Sequence, residues 1–126
     1  MAVMLDTSVA IPLRDGDLGI RSRLHSLSEP ILLPSLTLAE LEAGARGQDA
    51  DIRRGRLEVL IETFEVIPFQ TEDARAYGDI VRALGFSRSK VLDQMIAAQA
   101  IVAGATLATL NPADFRDIPG LSLLEW

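Results

Sequence analysis

The chain has 126 residues, so we expect a single domain spanning residues 1–126 with a buried core. A hydrophobic fraction of 48% and a mean hydropathy of +0.23 exclude a disordered chain. The net charge of −6 argues against a non-specific nucleic-acid binder, and the absence of cysteine excludes disulfides, thiolate zinc sites and cysteine nucleophiles.

The apolar segments show no targeting or membrane signal. The N-terminus lacks the basic region that precedes a signal-peptide core. The longest apolar stretch, near residues 95–110, is interrupted by Gln99, Gly104 and Thr106, which favours a buried helix followed by a strand over a membrane span. The sequence therefore predicts a cytoplasmic protein with no membrane segment.

Short apolar segments alternate with segments of helical periodicity along the chain. Residues 2–5 are predicted to form a strand, and Thr7 or Ser8 can cap a helix that runs to about Arg14. The further predicted elements, in order, are a turn at 15–17, helix 17–28, strand 31–33, helices 35–46 and 49–63, strand 64–67, helices 71–84 and 89–103, strand 106–109, a helical turn from Asn111, and strand 121–124.

This alternation predicts an α/β fold with a central parallel sheet of four to five short strands and helices on both faces. Ligands in such folds bind at the carboxyl ends of the strands. Asp6 follows the first predicted strand, Asp114 follows strand 106–109, and Glu40 lies in the helix after strand 31–33. We therefore expect at least three acidic side chains at one edge of the sheet.

Four carboxylates stand at the edges of apolar segments: Asp6, Glu40, Asp93 and Asp114, called the acidic quartet below. A carboxylate near the core loses hydration unless something pairs with it, and four brought together repel one another. A divalent cation such as Mg²⁺ relieves both problems, and carboxylates that hold metal are typical of phosphodiester chemistry. The quartet therefore suggests a metal-dependent enzyme.

Each quartet member also has a structural interpretation that the sequence leaves open. Asp6 can be a helix N-cap, Glu40 can complete a capping box with Thr37, and Asp114 can belong to a capped turn after Asn111. Asp93 resists such a reading, because it shares a helix face with apolar residues three, four, seven and eight positions later. Its structural alternative is a salt bridge, for example to Lys90.

Four segments in order resemble the PIN domain: Leu-Asp-Thr-Ser-Val, Glu-Leu-Glu-Ala-Gly, Asp-Gln-Met-Ile-Ala-Ala-Gln-Ala and Asn-Pro-Ala-Asp-Phe. The compact length is most similar to the VapC-type ribonuclease toxins of toxin–antitoxin pairs. The resemblance covers essentially the whole chain and implies one PIN-like domain with three layers. By that resemblance, the acidic quartet matches the family's acidic positions, and its supporting polar positions are matched by Thr7, Ser8 and Asn111.

The resemblance implies Mg²⁺ or Mn²⁺ as cofactor, cleavage of single-stranded RNA, a homodimer, and neutralisation by a small DNA-binding VapB-type antitoxin. One departure is Leu110, where many relatives carry a basic or polar residue. We hypothesise that Asp6, Glu40 and Asp93 hold one or two ions, directly or through water, and that Asp114 completes or orients the site.

Two questions stay open from the sequence. The first is whether the chain is instead a catalytically inactive PIN-like interaction module, in which the carboxylates are only helix caps. The second is the role of a basic cluster in the middle helices, which can be a solvated face, an RNA track or an antitoxin contact. The cluster consists of Arg46, Arg53, Arg54 and Arg56.

Overall fold

A computed structural model describes the whole chain, Met1–Trp126. Its elements are β1 (Val3–Leu5), α1 (Thr7–Arg14), α2 (Leu18–His25), β2 (Ile31–Pro34), α3 (Ser35–Gly44), α4 (Ala50–Thr63), β3 (Glu65–Ile67), α5 (Thr71–Leu84), α6 (Val91–Ala103), β4 (Thr106–Thr109) and β5 (Ser122–Glu125). Two short 3₁₀ turns, Arg88–Lys90 and Pro112–Asp114, precede α6 and follow β4. No helix has the length and apolar content to cross a membrane.

The five strands form one sheet in the order β3-β2-β1-β4-β5, and every neighbouring pair is parallel. The predicted α/β fold is therefore confirmed. Leu5 of β1 is in register with Ala108 of β4. The chain continues this pairing for one more step, because the N–H of Asp6 donates to the carbonyl of Ala108 at 3.0 Å. Asp6 thus lies at the carboxyl end of the central strand, beside the end of β4.

Alternating strand residues point into two separate cores, one on each face of the sheet. On one face Val3 and Leu5 pack with apolar residues of α1, α2 and α4. On the other face Met4 packs with Ile80 of α5 and with the apolar side of α6. Because both faces of the sheet are covered, the strands β1 and β2 are apolar throughout, as is typical of a parallel sheet.

Two capping interpretations that the sequence allowed are not realised in the structure. The helix α1 starts at Thr7, so Asp6, and neither Thr7 nor Ser8, occupies the N-cap position; the Asp6 side chain makes no capping bond. The helix α3 starts at Ser35 with Pro34 at its N-cap position, which places Thr37 inside the helix and rules out a capping box with Glu40. In both cases the polar side chain turns to a bond across the fold.

Candidate active site

The topology brings the acidic quartet to one edge of the sheet. Asp6 follows β1, Glu40 lies in the helix after β2, and Asp114 lies in the 3₁₀ turn after β4. Asp93 arrives differently, because α6 precedes β4 and its C-terminal end leads into the start of that strand. The first turn of α6, which contains Asp93, therefore lies at the same edge as the ends of β1, β2 and β4.

Asp6 is the most enclosed member of the quartet, with only 4% of its surface exposed. Its Oδ2 accepts hydrogen bonds from the Ser8 hydroxyl at 2.7 Å and from the Thr109 hydroxyl at 2.8 Å. Its Oδ1 receives no hydrogen bond from the chain, and no basic side chain pairs with it. A buried carboxylate normally has a cationic partner. Asp6 has none, and only the two hydroxyl groups hold its side chain in place.

The same two hydroxyls also anchor the segment that leads to Asp114. The N–H of Leu110 donates to Oγ of Ser8 at 3.0 Å, and the N–H of Asn111 donates to Oγ1 of Thr109 at 3.0 Å. Each hydroxyl thus accepts from the backbone and donates to Asp6. This relay fixes the turn after β4 relative to Asp6, and Leu110 contributes to it through its backbone.

Glu40 is held by a neighbour from another element. The Thr7 hydroxyl, at the start of α1, donates to Oε1 of Glu40 at 2.7 Å, and Oε2 has no donor from the chain. One turn earlier in α3, the fully buried Thr37 donates to the carbonyl of Leu5 at 3.0 Å. Together these bonds fasten α3 to the end of β1 and the start of α1.

Asp93 makes no hydrogen bond or salt bridge. Its pKa is raised from the ordinary 3.8 to about 6, first by partial burial and then by the negative charges of Asp6, Asp114 and Glu40. Lys90 acts in the opposite direction and lowers the pKa of Asp93. The four carboxylates are therefore close enough to repel one another, which makes the quartet one electrostatic unit.

Asp114 has the one basic partner in the quartet. Nζ of Lys90, at the N-cap position of α6, lies 3.8 Å from Oδ1 of Asp114. The sequence suggested Lys90 as a partner of Asp93, whereas the ion pair is formed with Asp114. Both side chains are partly exposed, 36% for Lys90 and 48% for Asp114, so solvent screens the pair.

The quartet offers the ligand atoms that Mg²⁺ and Mn²⁺ prefer, since all of them are carboxylate oxygens. In Asp6 and in Glu40, one carboxylate oxygen accepts a hydrogen bond from a hydroxyl group, and the other oxygen accepts none from the chain. In the observed conformation, no three acidic side chains are close enough together to coordinate one ion directly. This fits Mg²⁺, which usually keeps several waters and takes one or two carboxylates directly.

The supporting positions predicted from the sequence behave unequally. Thr7 and Ser8 each bind a quartet carboxylate. Asn111 contributes its backbone N–H, and its exposed side chain makes no hydrogen bond. Thr109 was missed as a site residue. The signal that could have found it is its place as a polar residue at the carboxyl end of the predicted parallel strand 106–109, the kind of position that singled out Asp6 after the first strand.

The predicted basic cluster does not act as one surface. Arg53 donates to the carbonyl of Gly44 at the end of α3, Arg54 pairs with Asp51, and Arg56 lines a cavity. That cavity, of about 620 Å³, lies between α1, α2 and α4 and contains no quartet member.

Comparison with known families decides the classification. The sequence profile of the PIN domain matches residues 3–121. The chain belongs to the PIN-domain family. The matched residues include the whole acidic quartet and the strands β1 to β4, so the candidate site is part of the PIN domain itself.

Individual relatives of this PIN domain are similar along their full length. It is 32% identical over 130 residues to ribonuclease VapC1 of Rickettsia felis, covering 98% of this chain and 96% of the relative. It is also 32% identical over 127 residues to the tRNA(fMet)-specific endonuclease VapC of Salmonella typhimurium, with the same coverage of both chains.

Solved structures show the same similarity in three dimensions. The fold superposes on a chain of VapBC2 from Rickettsia felis, bound to a DNA fragment from its promoter, with a TM-score of 0.89 and 27% identity. The match covers 100% of this chain and 99% of the other. The predicted resemblance to VapC-type PIN domains is therefore confirmed.

Proposed function

We propose that this PIN domain is an Mg²⁺- or Mn²⁺-dependent endoribonuclease and the toxin of a toxin–antitoxin pair. The observation that carries the proposal is the state of Asp6, which is buried, oriented by two hydroxyls and unpaired, at an edge where three more carboxylates converge. The relatives named ribonuclease VapC1 and tRNA(fMet)-specific endonuclease VapC supply the reaction class.

In the proposed enzyme, the carboxylates of the quartet would bind the ion and the neighbouring hydroxyl groups would orient those carboxylates. Asp6, Glu40 and Asp93 would hold the ion, one or two of them directly and the rest through water, and Asp114 would complete or orient the site. A bound ion supplies a Lewis acid that activates water and stabilises the charge of the leaving oxygen. Ser8 and Thr109 keep Asp6 in one orientation, and Thr7 does the same for Glu40. With a pKa of about 6, Asp93 is mainly ionised at pH 7.5 and is available as a ligand.

A cleavage assay on total RNA tests this proposal. We expect the wild type to cleave RNA with Mg²⁺ or Mn²⁺ and to lose activity in excess EDTA. Asp93→Asn should abolish cleavage nearly completely, because it removes a charged oxygen ligand while conserving the shape of the side chain. Asp79→Asn is the matched control, since Asp79 is also helical but is exposed and pairs only with Arg82.

The outcomes separate the enzyme from an inactive interaction module. Equal cleavage by the wild type and Asp93→Asn would show that Asp93 is not a ligand. Absence of cleavage, together with no heat of Mn²⁺ binding in isothermal titration, would favour the module. Loss of activity in Asp79→Asn as well would indicate a general folding defect.

The cavity between α1, α2 and α4 is the surface that we assign to the antitoxin. Its walls combine apolar side chains such as Leu24, Leu60 and Phe64 with several basic ones, against the single acid Asp15. The basic side chains are Arg14, Arg21, His25 and Arg56. A basic apolar cavity on a chain of net charge −6 favours an acidic amphipathic segment as its occupant. Similar chains occur in VapBC complexes.

The homodimer is also part of this proposal. Three exposed apolar side chains lie within nine residues of one another around the connection between α5 and α6: Leu84, Phe86 and Leu92. Phe86 is 67% exposed, which is unusual for a large aromatic side chain unless it meets a partner. Light scattering after size exclusion should give twice the chain mass of 13.7 kDa.

A further inference from the structure

Lys90 is the only basic residue that pairs with a member of the acidic quartet. The other ion pairs of the chain, such as Arg14 with Asp15 and Arg116 with Glu125, lie among residues outside the quartet. Lys90 reaches Asp114 with its ammonium group, and its charge also acts on Asp93. One positive charge therefore faces four negative ones.

The position of Lys90 is fixed by the backbone, whereas its ammonium group is only loosely held. The residue ends the 3₁₀ turn before α6, where its N–H donates to the carbonyl of Ser87 at 3.0 Å. The 3.8 Å separation from Asp114 is too long for a hydrogen bond, and the pair is partly exposed. Such a pair is weak enough to be exchanged when a stronger cation arrives.

We propose that Lys90 is a built-in counter-cation of the acidic quartet, which pairs with Asp114 in the metal-free protein and competes with the divalent ion for that carboxylate. The inference rests on the proposed metal site. Lys90 is thus a positioning residue that sets the ion affinity and acts through Asp114. The binding of an ion releases its ammonium group from Asp114.

If Lys90 competes with the ion, removing its charge should strengthen Mn²⁺ binding, whereas a substitution that damages the fold should weaken it. Lys90→Met removes the charge and keeps the length of the side chain. In isothermal titration with MnCl₂ at pH 7.5, this variant should bind Mn²⁺ roughly three- to tenfold more tightly than the wild type, because the ion no longer displaces a lysine. Lys90→Arg retains the charge and should stay within about twofold of the wild type.

Arg88→Met is the matched control. Arg88 belongs to the same 3₁₀ turn and carries the same charge, but it has no acidic partner. Its loss should change the Mn²⁺ affinity by less than about twofold, because screened charges act weakly at longer range. An equal gain of affinity in Lys90→Met and Arg88→Met would show a general charge effect and overturn the role of Lys90.

The metal-free protein gives a second readout. In excess EDTA, Lys90→Met should lower the melting temperature by about 2–4 °C, since the quartet loses its counter-charge. The loss should be smaller in an Asp114→Asn background, where the ion pair no longer exists. Equal losses in both backgrounds would show that Lys90 does not stabilise the fold through Asp114.

The two proposals fail in different ways. If neither the wild type nor any variant binds Mn²⁺, both the metal site and the competition for it are wrong. The melting temperatures in EDTA then show only whether Lys90 stabilises the fold through Asp114. If all variants bind Mn²⁺ equally, the metal site stands and the competition is wrong. Weaker Mn²⁺ binding by Lys90→Met would mean that Lys90 helps to build the site, which contradicts the inference.

Discussion

The hydroxyl of Thr109, at the end of β4, donates a hydrogen bond of 2.8 Å to Oδ2 of Asp6, at the end of β1. Thr109 is fully buried and Asp6 nearly so, and the two residues are 103 positions apart in sequence. The bond couples the position of a candidate ligand to the pairing of the two central strands. Any change that shifts β4 against β1 should therefore also disturb Asp6.

Thr109→Val removes this hydroxyl while nearly conserving the volume of the side chain. We expect a loss of about 2 kcal/mol in the free energy of unfolding, because a buried charged acceptor and the N–H of Asn111 both lose a partner. RNA cleavage should also fall. Thr109→Ser is the control, since it keeps the hydroxyl and loses only a methyl group. Urea unfolding measures the free energy of unfolding of both variants, and we expect Thr109→Val to be the less stable one. Equal stability of the two variants would contradict this prediction.

Thr7→Val tests the corresponding bond to Glu40. Thr7 is only partly buried, so the variant should lose less stability than Thr109→Val. Loss of a residue that orients a metal ligand typically lowers metal affinity or activity by roughly 10–100-fold. We therefore expect a clear fall in cleavage rate with a nearly unchanged melting temperature, and recovery in Thr7→Ser. Full activity of the valine variant would show that Glu40 does not need this donor.

Asp93 should make the stability of the metal-free protein depend on pH. Its folded-state pKa of about 6 lies above the ordinary value of 3.8, so the folded chain binds the proton more strongly than the unfolded chain. This contribution to stability is present at low pH, falls as pH rises from about 4 to about 6, and is absent above that. In Asp93→Asn it is missing at every pH.

The comparison of Asp93→Asn with the wild type isolates this effect from the other carboxylates. In EDTA, the variant should gain stability relative to the wild type as pH rises from 4 to 7. The gain should be of the order of 1 kcal/mol, after a reduction for solvent screening of a half-exposed group. Thermal unfolding at several pH values measures it. If the stability difference between Asp93→Asn and the wild type does not change with pH, Asp93 is not repelled by the other carboxylates. In excess Mg²⁺ at pH 7.5, the wild type should become the more stable of the two.

The α/β fold and the shared edge were predictable because they follow from strand and helix order. A parallel sheet places the residues after each strand at one edge, so Asp6, Asp114 and Glu40 could be located from the order of the elements. Asp93 stood out as a carboxylate on an apolar helix face, and the resemblance to PIN domains then grouped all four as one site. These predictions needed only residue order along the chain.

The bonds within the site were not predictable in the same way. Thr37 and Glu40 have the spacing of a capping box, yet α3 begins two residues earlier and both side chains bond to other elements. Lys90 could reach either Asp93 or Asp114, and only the placement of the turn after β4 decides between them. Such choices depend on tertiary distances, which local spacing does not contain.

The cavity between α1, α2 and α4 leads to a prediction about the antitoxin. Arg21 and Arg56 line this cavity from two different helices, away from the acidic quartet. If an acidic segment of a VapB-type partner occupies it, reversing one of these charges should weaken the complex without changing the cleavage by the free chain. The reason is that the cavity supplies charge complementarity to the partner and no group to the reaction.

The measurement requires co-expression with the antitoxin, which we expect to be a small DNA-binding protein encoded beside this chain. Arg21→Glu and Arg56→Glu should each weaken the purified complex, by roughly tenfold in Kd for one reversed charge near a partly buried interface. Arg82→Glu is the control, because Arg82 is exposed on α5 and lies outside the cavity. Equal affinities in all three variants would place the antitoxin on another surface, and lost cleavage in Arg21→Glu would show that the cavity and the acidic quartet are coupled.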